Sequence, residues 1–221
     1  MNAIIITGGS QPDYAIASKY FLPDSIIIAA DSGLEAAASV GFTPDIILGD
    51  MDSLQNKALL HAYPEAQVQL HPCDKDFTDT ELAVFAAKEK GAQDIIICGA
   101  GGGRADHFLS VARIFREKKP PRLWLYDAGL VYCVGEDCAV KTLRIDGAEN
   151  AAISVFPAGE PCGFISSRGL HWELDTVNWQ SGQVSLSNRS DGKPIELAVQ
   201  SGRFLVFLSP LKEYRCGFNL M

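Results

Sequence analysis

The 221-residue sequence lacks any apolar run near the roughly 20 residues that cross a bilayer. Its aliphatic stretches are short: "AIII", "SIIIAA", "DIIL" and "DIIIC". The opening "MNAIIITGGSQPD" has neither the basic region nor the cleavage site of a signal peptide, so the expectation is a cytoplasmic protein without membrane attachment. Positive charge is scarce. Nineteen Lys and Arg stand against 27 Asp and Glu, a formal net charge of -8, so the overall field draws the chain to neither nucleic acid nor an anionic membrane. The six cysteines form no CxxC pair and no zinc-like spacing, and they read as reduced thiols. There is no GxxxxGK[ST] loop, no GxSxG elbow and no Cys–His pattern for a covalent nucleophile.

What is present divides in two. Over residues 1–128, buried-strand runs (Ala3 to Ile6, Ser25 to Ala30, Asp45 to Leu48, Asp94 to Cys98, Arg122 to Tyr126) alternate with helical patterns. Ser32 to Gly41 is alanine-rich and stops at glycine. Thr78 to Gly91 opens on a capping box, Thr78 with Glu81. Asp106 to Lys119 places Phe108, Val111, Ala112 and Phe115 on one face before "PP". This alternation predicts an α/β domain with a mainly parallel sheet. Over residues 129–221 helical periodicity vanishes, and short strand candidates separated by Gly, Pro, Asp and Asn predict a smaller all-β sandwich domain.

Acids follow the strands of the first domain. Asp31 follows "SIIIAA", Asp50 and Asp52 follow "DIILG", Asp74, Asp76 and Asp79 follow "VQLHPC", and Asp106 follows "DIIICGAGGGRA". Parallel strands end at one sheet edge, where ligands bind. Carboxylates gathered there repel unless a cation joins them, and a hard divalent ion such as Mg²⁺ with a phosphate substrate suits the set. The bland alternative for Asp50 and Asp52 is a solvated turn. A phosphatase-type D-x-D also follows an aliphatic strand, but Leu54 stands at that family's usual threonine position. "CGAGGGRADH" (98–107) offers close backbone approach, a helix start and the Arg104 fork for phosphate, or else a glycine-rich turn with a surface arginine. His107 reads as a packing or capping residue, Trp172 and Trp179 as sandwich core or rim, and Ser10 equally as a phosphate contact or a turn.

Taken together, "ADSG" (30–33), "GDMDS" (49–53), "DKDFTD" (74–79), "GGGRADH" (101–107), "RGLHWEL" (168–174) and "VSLSN" (184–188) closely resemble the thiamine pyrophosphokinase family over nearly the whole chain. The resemblance implies an α/β domain plus β-sandwich, a homodimer with active sites at the subunit interface, and Mg²⁺-dependent transfer of diphosphate from ATP to thiamine. By motif it implies Asp50, Asp52 and Asp79 as metal ligands, with Arg104 beside them in catalysis. It implies Asp31, Ser32, Ser53, Thr78, Arg104, Asp106 and His107 at the nucleotide. It implies Lys75, Asp106, Ser185, Ser187 and Asn188 at thiamine. Ser32 stands where many relatives carry glycine and Lys75 where some carry glutamine, and the tail lacks a tryptophan that some relatives carry. Another hydroxymethyl acceptor on the same fold, a Mg²⁺-dependent phosphatase, and a non-catalytic sensor stay open as alternatives. Which aspartate serves as base is undetermined.

Overall fold

Aliphatic residues without polar alternation need cover on both faces, and the first half of the chain supplies it. The structure, a computed structural model, describes residues 1–159 and 162–220. Two units share the chain. The first is Met1–Ala112 with Trp124–Asp127, and the second is Arg113–Leu123 with Ala128–Met221.

The first unit runs β1 (Asn2–Ile6), α1 (Tyr14–Ala17), β2 (Ser25–Ala30), α2 (Gly33–Ser39), β3 (Ile46–Gly49), α3 (Leu59–Ala62), β4 (Gln67–Leu70), α4 (Asp79–Glu89), β5 (Asp94–Cys98), α5 (Ala105–Ile114) and β6 (Leu123–Tyr126). Strand order is β6-β5-β1-β2-β3-β4. The pairs β1–β2, β1–β5, β2–β3 and β3–β4 are parallel. Ile5, Ile6, Ile28, Ile47, Leu48 and Ile97 are buried, as continuous aliphatic strands in a covered parallel sheet require. β4 lies at the sheet edge, and there Val68 and Leu70 remain exposed.

The capping box forms. Thr78 Oγ1 accepts from Glu81 N at 3.2 Å, and Glu81 Oε2 accepts from Thr78 N at 2.9 Å. α1 and α3 span four residues each, too short to show a helical period. The helix expected to reach Lys119 ends at Ile114. Tight turns follow it, with Arg116 N donating to Arg113 O and Glu117 N to Ile114 O, and the Arg203 guanidinium takes the carbonyls of Phe115 and Glu117 just beyond the helix.

The second unit is all β: β7 (Gly129–Gly135), β8 (Val140–Asp146), β9 (Ala152–Pro157), β10 (Phe164–Arg168), β11 (Ser185–Asn188), β12 (Ile195–Ser201), β13 (Arg203–Ser209) and β14 (Arg215–Leu220). One antiparallel layer is β11-β9-β13-β7 and the other is β10-β12-β8-β14. Val131, Cys133, Leu143, Ile145, Val199 and Phe204 are buried in this unit. Arg203 pairs with Asp137 at the start of β13. The cysteines of the described residues are unpaired thiols, with Cys133 and Cys138 Sγ 3.5 Å apart. Among the described residues no helix is long and apolar enough to cross a membrane.

Candidate active site

The chain leaves β3 by an unusual route. Gly49 has φ 137° and Met51 has φ 59°, so the backbone folds back within two residues. Met51 turns inward and is buried with Ala29, Leu34, Ile47 and Leu54. That inward anchor explains the D-x-D spacing: with Met51 and Leu54 in the core, Asp50 and Asp52 are left outside it. Leu54 is part of the core, where a catalytic threonine would be wasted. A Cβ on Gly49 would come within 3.2 Å of the Asp31 backbone and of Asp79 Oδ1. Only glycine there lets the ends of β2 and β3 and the start of α4 approach this closely.

Asp31, which leaves β2 at φ 49°, meets Asp50 and Asp79, with one carboxylate oxygen of each within 4.8 Å of the others. Lys75 Nζ donates to Asp50 Oδ2 at 2.6 Å and lies 3.4 Å from Asp79 Oδ1. The hydrogen bond from Lys75 holds the Asp50 carboxyl below the ordinary carboxylate range. Burial pushes Asp79 upward, and the charges of Asp50 and Asp31 add to it while Lys75 opposes. Burial pulls against the Lys75 charge, but its bonds to Asp50 and Asp79 win, and its pKa rises. Asp31 Oδ1 is buried with no hydrogen-bond partner, and the buried Asp79 Oδ1 has only its 3.4 Å ion pair with Lys75. Under-satisfied carboxylate oxygens in a tight cluster are a donor set that fits a hard divalent cation.

Asp52 stands in a different grouping, within 4.8 Å of Asp50 and Cys73. A soft thiol adds nothing for Mg²⁺. Asp52 Oδ1 accepts from Ser53 Oγ at 3.0 Å. Thr78 spends its hydroxyl on the cap and so places Asp79 in the first turn of α4. The buried Thr7–Thr80 hydroxyl pair, 2.7 Å apart, ties α4 to the end of β1. No motif in the sequence announces that pair.

A glycine loop lines the same cleft as Asp31 and Asp79. Ser10 N donates to Gly101 O at 2.7 Å, Ala100 N to Gly8 O at 2.7 Å, and Trp124 Nε1 to Gly99 O at 2.8 Å. Gly102 has φ 63°, and a Cβ there would sit 2.2 Å from Ser10 Oγ. Arg104 grips Asp106 with both arms of its fork, at 2.6 and 3.2 Å, and both side chains are exposed. That hydrogen-bonded pairing pulls Asp106 down to about 2. The cleft, about 860 Å³, is lined by Asp31, Ser32, Asp79, Lys75, the 101–103 glycines and Arg104, with Ser53, Thr78, Asp106 and His107 also on its walls.

Residues 17–125 match the family model described as "Thiamin pyrophosphokinase, catalytic domain". Over that segment, just under half of the chain, the protein is similar to the thiamine pyrophosphokinase family. A Bacillus subtilis thiamine pyrophosphokinase is 33% identical over 108 residues, 48% of this chain and 50% of that protein. Thiamine pyrophosphokinase 1 of Oryza sativa subsp. japonica is 24% identical over 177 residues, 72% of this chain and 64% of that protein. The matched parts thus span half to about two thirds of these two relatives. In fold, the chain resembles a crystal structure of thiamine pyrophosphokinase from Bacillus subtilis, with TM-score 0.74, 22% identity and coverage of 95% of this chain and 99% of that one. A Geobacillus thermodenitrificans structure gives 0.72, at 23% identity, covering 95% and 97%.

The segment matched to the family contains the whole acid cluster and the glycine loop. The second-unit residues that the resemblance names lie outside it. Asn188 is buried and fully engaged: its Oδ1 accepts from Trp172 N (3.2 Å) and Arg189 N (2.9 Å), and its Nδ2 donates to Trp172 O (2.6 Å). Ser185 Oγ lies 3.4 Å from the same amide. Ser187, at φ 52°, donates its N–H to Ser154 Oγ at 3.0 Å. Asn188 therefore locks a loop that carries the exposed Trp172, whose ring has the Arg189 guanidinium 5.0 Å above it. Trp179 is buried edge-on to Phe204 in the sandwich core.

Proposed function

We propose that this protein is a thiamine diphosphokinase, which transfers diphosphate from ATP to the primary hydroxyl of thiamine and releases AMP. The carrying observation is the convergence of Asp31, Asp50 and Asp79, of which Asp31 and Asp79 line one cleft with a glycine loop, inside the segment matched to the family model. Diphosphate transfer leaves little covalent work to the protein. It must align the hydroxyl with the β-phosphorus and its leaving oxygen, and meet the charge that develops.

The chain's residues divide those tasks. Asp31, Asp50 and Asp79 would hold Mg²⁺, and Asp52 stands at the outer side of Asp50. Bound there, Mg²⁺ would neutralise polyphosphate oxygens. The glycine loop presents backbone without side chains in the way, and the N-terminus of α5 adds a positive dipole end. Arg104 can exchange Asp106 for a phosphate, because both are exposed and the swap costs little burial. Ser32, Ser53 and Thr78 shape the nucleotide side of the cleft, Thr78 through the cap that occupies its hydroxyl. Ser185, Ser187 and Asn188 are assigned to thiamine, reaching the site of a second subunit in a homodimer. Asn188 acts there by fixing its loop. A cytoplasmic setting suits the unpaired thiols and the supply of ATP.

The test is a product assay with ATP, Mg²⁺ and thiamine. AMP and thiamine diphosphate should appear in equal amounts, and both should vanish on chelation. ADP with thiamine monophosphate as the early products would overturn the β-phosphorus assignment. AMP with other hydroxymethyl acceptors but not with thiamine would overturn the substrate.

A further inference from the structure

Lys75 carries an inference that rests on the metal-site reading above and deepens it. Three carboxylates within 4.8 Å of one another repel unless positive charge stands among them. Here the chain supplies that charge. Lys75 Nζ is 2.6 Å from Asp50 Oδ2 and 3.4 Å from Asp79 Oδ1, with the lysine side chain 13% exposed and that of Asp50 12%. The ammonium occupies the region that a divalent ion on the same carboxylates would need. We propose that Lys75 is an internal counter-cation: it neutralises the acid cluster of the empty site, is displaced from Asp50 when a divalent cation enters, and then presents its charge to the polyphosphate.

Three observations support the displacement. Mg²⁺ binds carboxylate oxygen at about 2.0–2.1 Å. An ammonium held 2.6 Å from Asp50 Oδ2 would then face a second cation a few ångströms away across shared carboxylates, an arrangement that like charge opposes. Neutralisation by Lys75 is also incomplete, since Asp31 Oδ1 keeps no hydrogen-bond partner, and a divalent ion has an acceptor the lysine does not reach. Finally, Lys75 has room to leave. It sits between β4 and α4, outside any helix or strand, on a flexible four-carbon stem, and it lines the same cleft as the glycine loop. Loading the metal thus releases a positive charge where the anionic substrate arrives.

The experiment is calorimetric titration of Mn²⁺ alone into the full chain, its Lys75→Met, Lys75→Gln and Lys75→Arg variants, and Asp50→Asn. It is paired with a crystal structure of the Mn²⁺-loaded wild type. Removing the competing charge should tighten Mn²⁺ binding about tenfold in the Met and Gln variants, while the arginine variant, which keeps the charge, should stay within about threefold of wild type. Without metal, Lys75→Met should melt below wild type, and saturating Mn²⁺ should close the gap. In the loaded structure Nζ should lie beyond ion-pair distance from Asp50. Unchanged or weaker Mn²⁺ affinity in both neutral variants overturns the proposal, as does a loaded site with Nζ still on Asp50. A merely structural lysine would lower stability with and without metal alike, and would not raise affinity. If wild type and Asp50→Asn bind Mn²⁺ equally, or neither binds it, the acid-cluster metal site itself fails, and the proposal fails with it.

Discussion

The two units treat their charged groups in opposite ways. In the first, carboxylates are gathered with too few partners: Asp50 and Asp79 share one lysine, and the buried Asp31 Oδ1 beside them accepts no hydrogen bond. In the second, Arg203, Arg144 and Asn188 are satisfied by the chain itself. Arg203 serves two carbonyls and Asp137, Arg144 serves Asp146 and Glu196, and Asn188 serves Trp172 and Arg189. An under-satisfied cluster stores demand for a ligand, whereas a saturated one stores stability. Substitutions in the first unit should therefore cost activity more than stability, and those in the second should do the reverse.

The largest expected break is Asp79→Asn. Activity should fall about 100- to 1000-fold, as when a charge-stabilising group is lost from a preorganised site. Thermal stability should hold or rise at neutral pH. Burial raises the Asp79 pKa, so its charged form is less at home in the folded chain than in the unfolded one. Its penalty therefore grows as pH rises through the unfolded value, and asparagine removes it. Melting curves should show any advantage of the variant shrinking as pH drops below about 4. A loss of several degrees at pH 7 would contradict the contrast.

Arg203→Met should do the opposite, lowering stability by about 2–3 kcal/mol in denaturant unfolding through the loss of charge-assisted bonds to Phe115, Glu117 and Asp137. The hydrogen bond from Arg203 holds Asp137 below its ordinary range. A depressed carboxylate adds stability above its unfolded pKa and loses it as pH falls through the folded value. The stability gap between wild type and Asp137→Asn should thus be full at neutral pH and close below about pH 4.

Gly49→Ala sharpens the contrast, because it strains a backbone that serves the acid cluster. At φ 137° with 3.2 Å contacts, it should cost about 1–3 kcal/mol and reduce divalent-cation binding in the same titration. The smallest effect belongs to Thr78→Ala, about 1 kcal/mol from the lost cap. Since Thr78 also sets Asp79 in the first turn, kcat should fall more than KM for ATP rises. A change confined to KM would instead make its hydroxyl a nucleotide contact.

Much of the first unit could be read from local pattern. Unbroken aliphatic runs identify β2 and β5 to the residue, and Thr78 with Glu81 marks the start of α4, because continuous hydrophobicity and cap chemistry act within a few positions. The end of α5 could not be read so. The carbonyls just past it are taken by Arg203, 88 positions beyond Phe115. Strand β14, "RCGFNL", carries no clear alternation and exists through pairing with β8.

By itself, the sequence determined that acids follow the strands of a parallel sheet, and so that they share an edge. Which acids meet was decided by tertiary structure. Asp31, Asp50 and Asp79 converge because Gly49 lacks a side chain, Met51 folds inward and the Thr78 cap orients α4, while Asp52 is carried to the Cys73 side and Asp106 to Arg104. Period and composition set which face a residue takes. The distance between carboxylates from three separate segments follows only from how the backbones between them turn and pack.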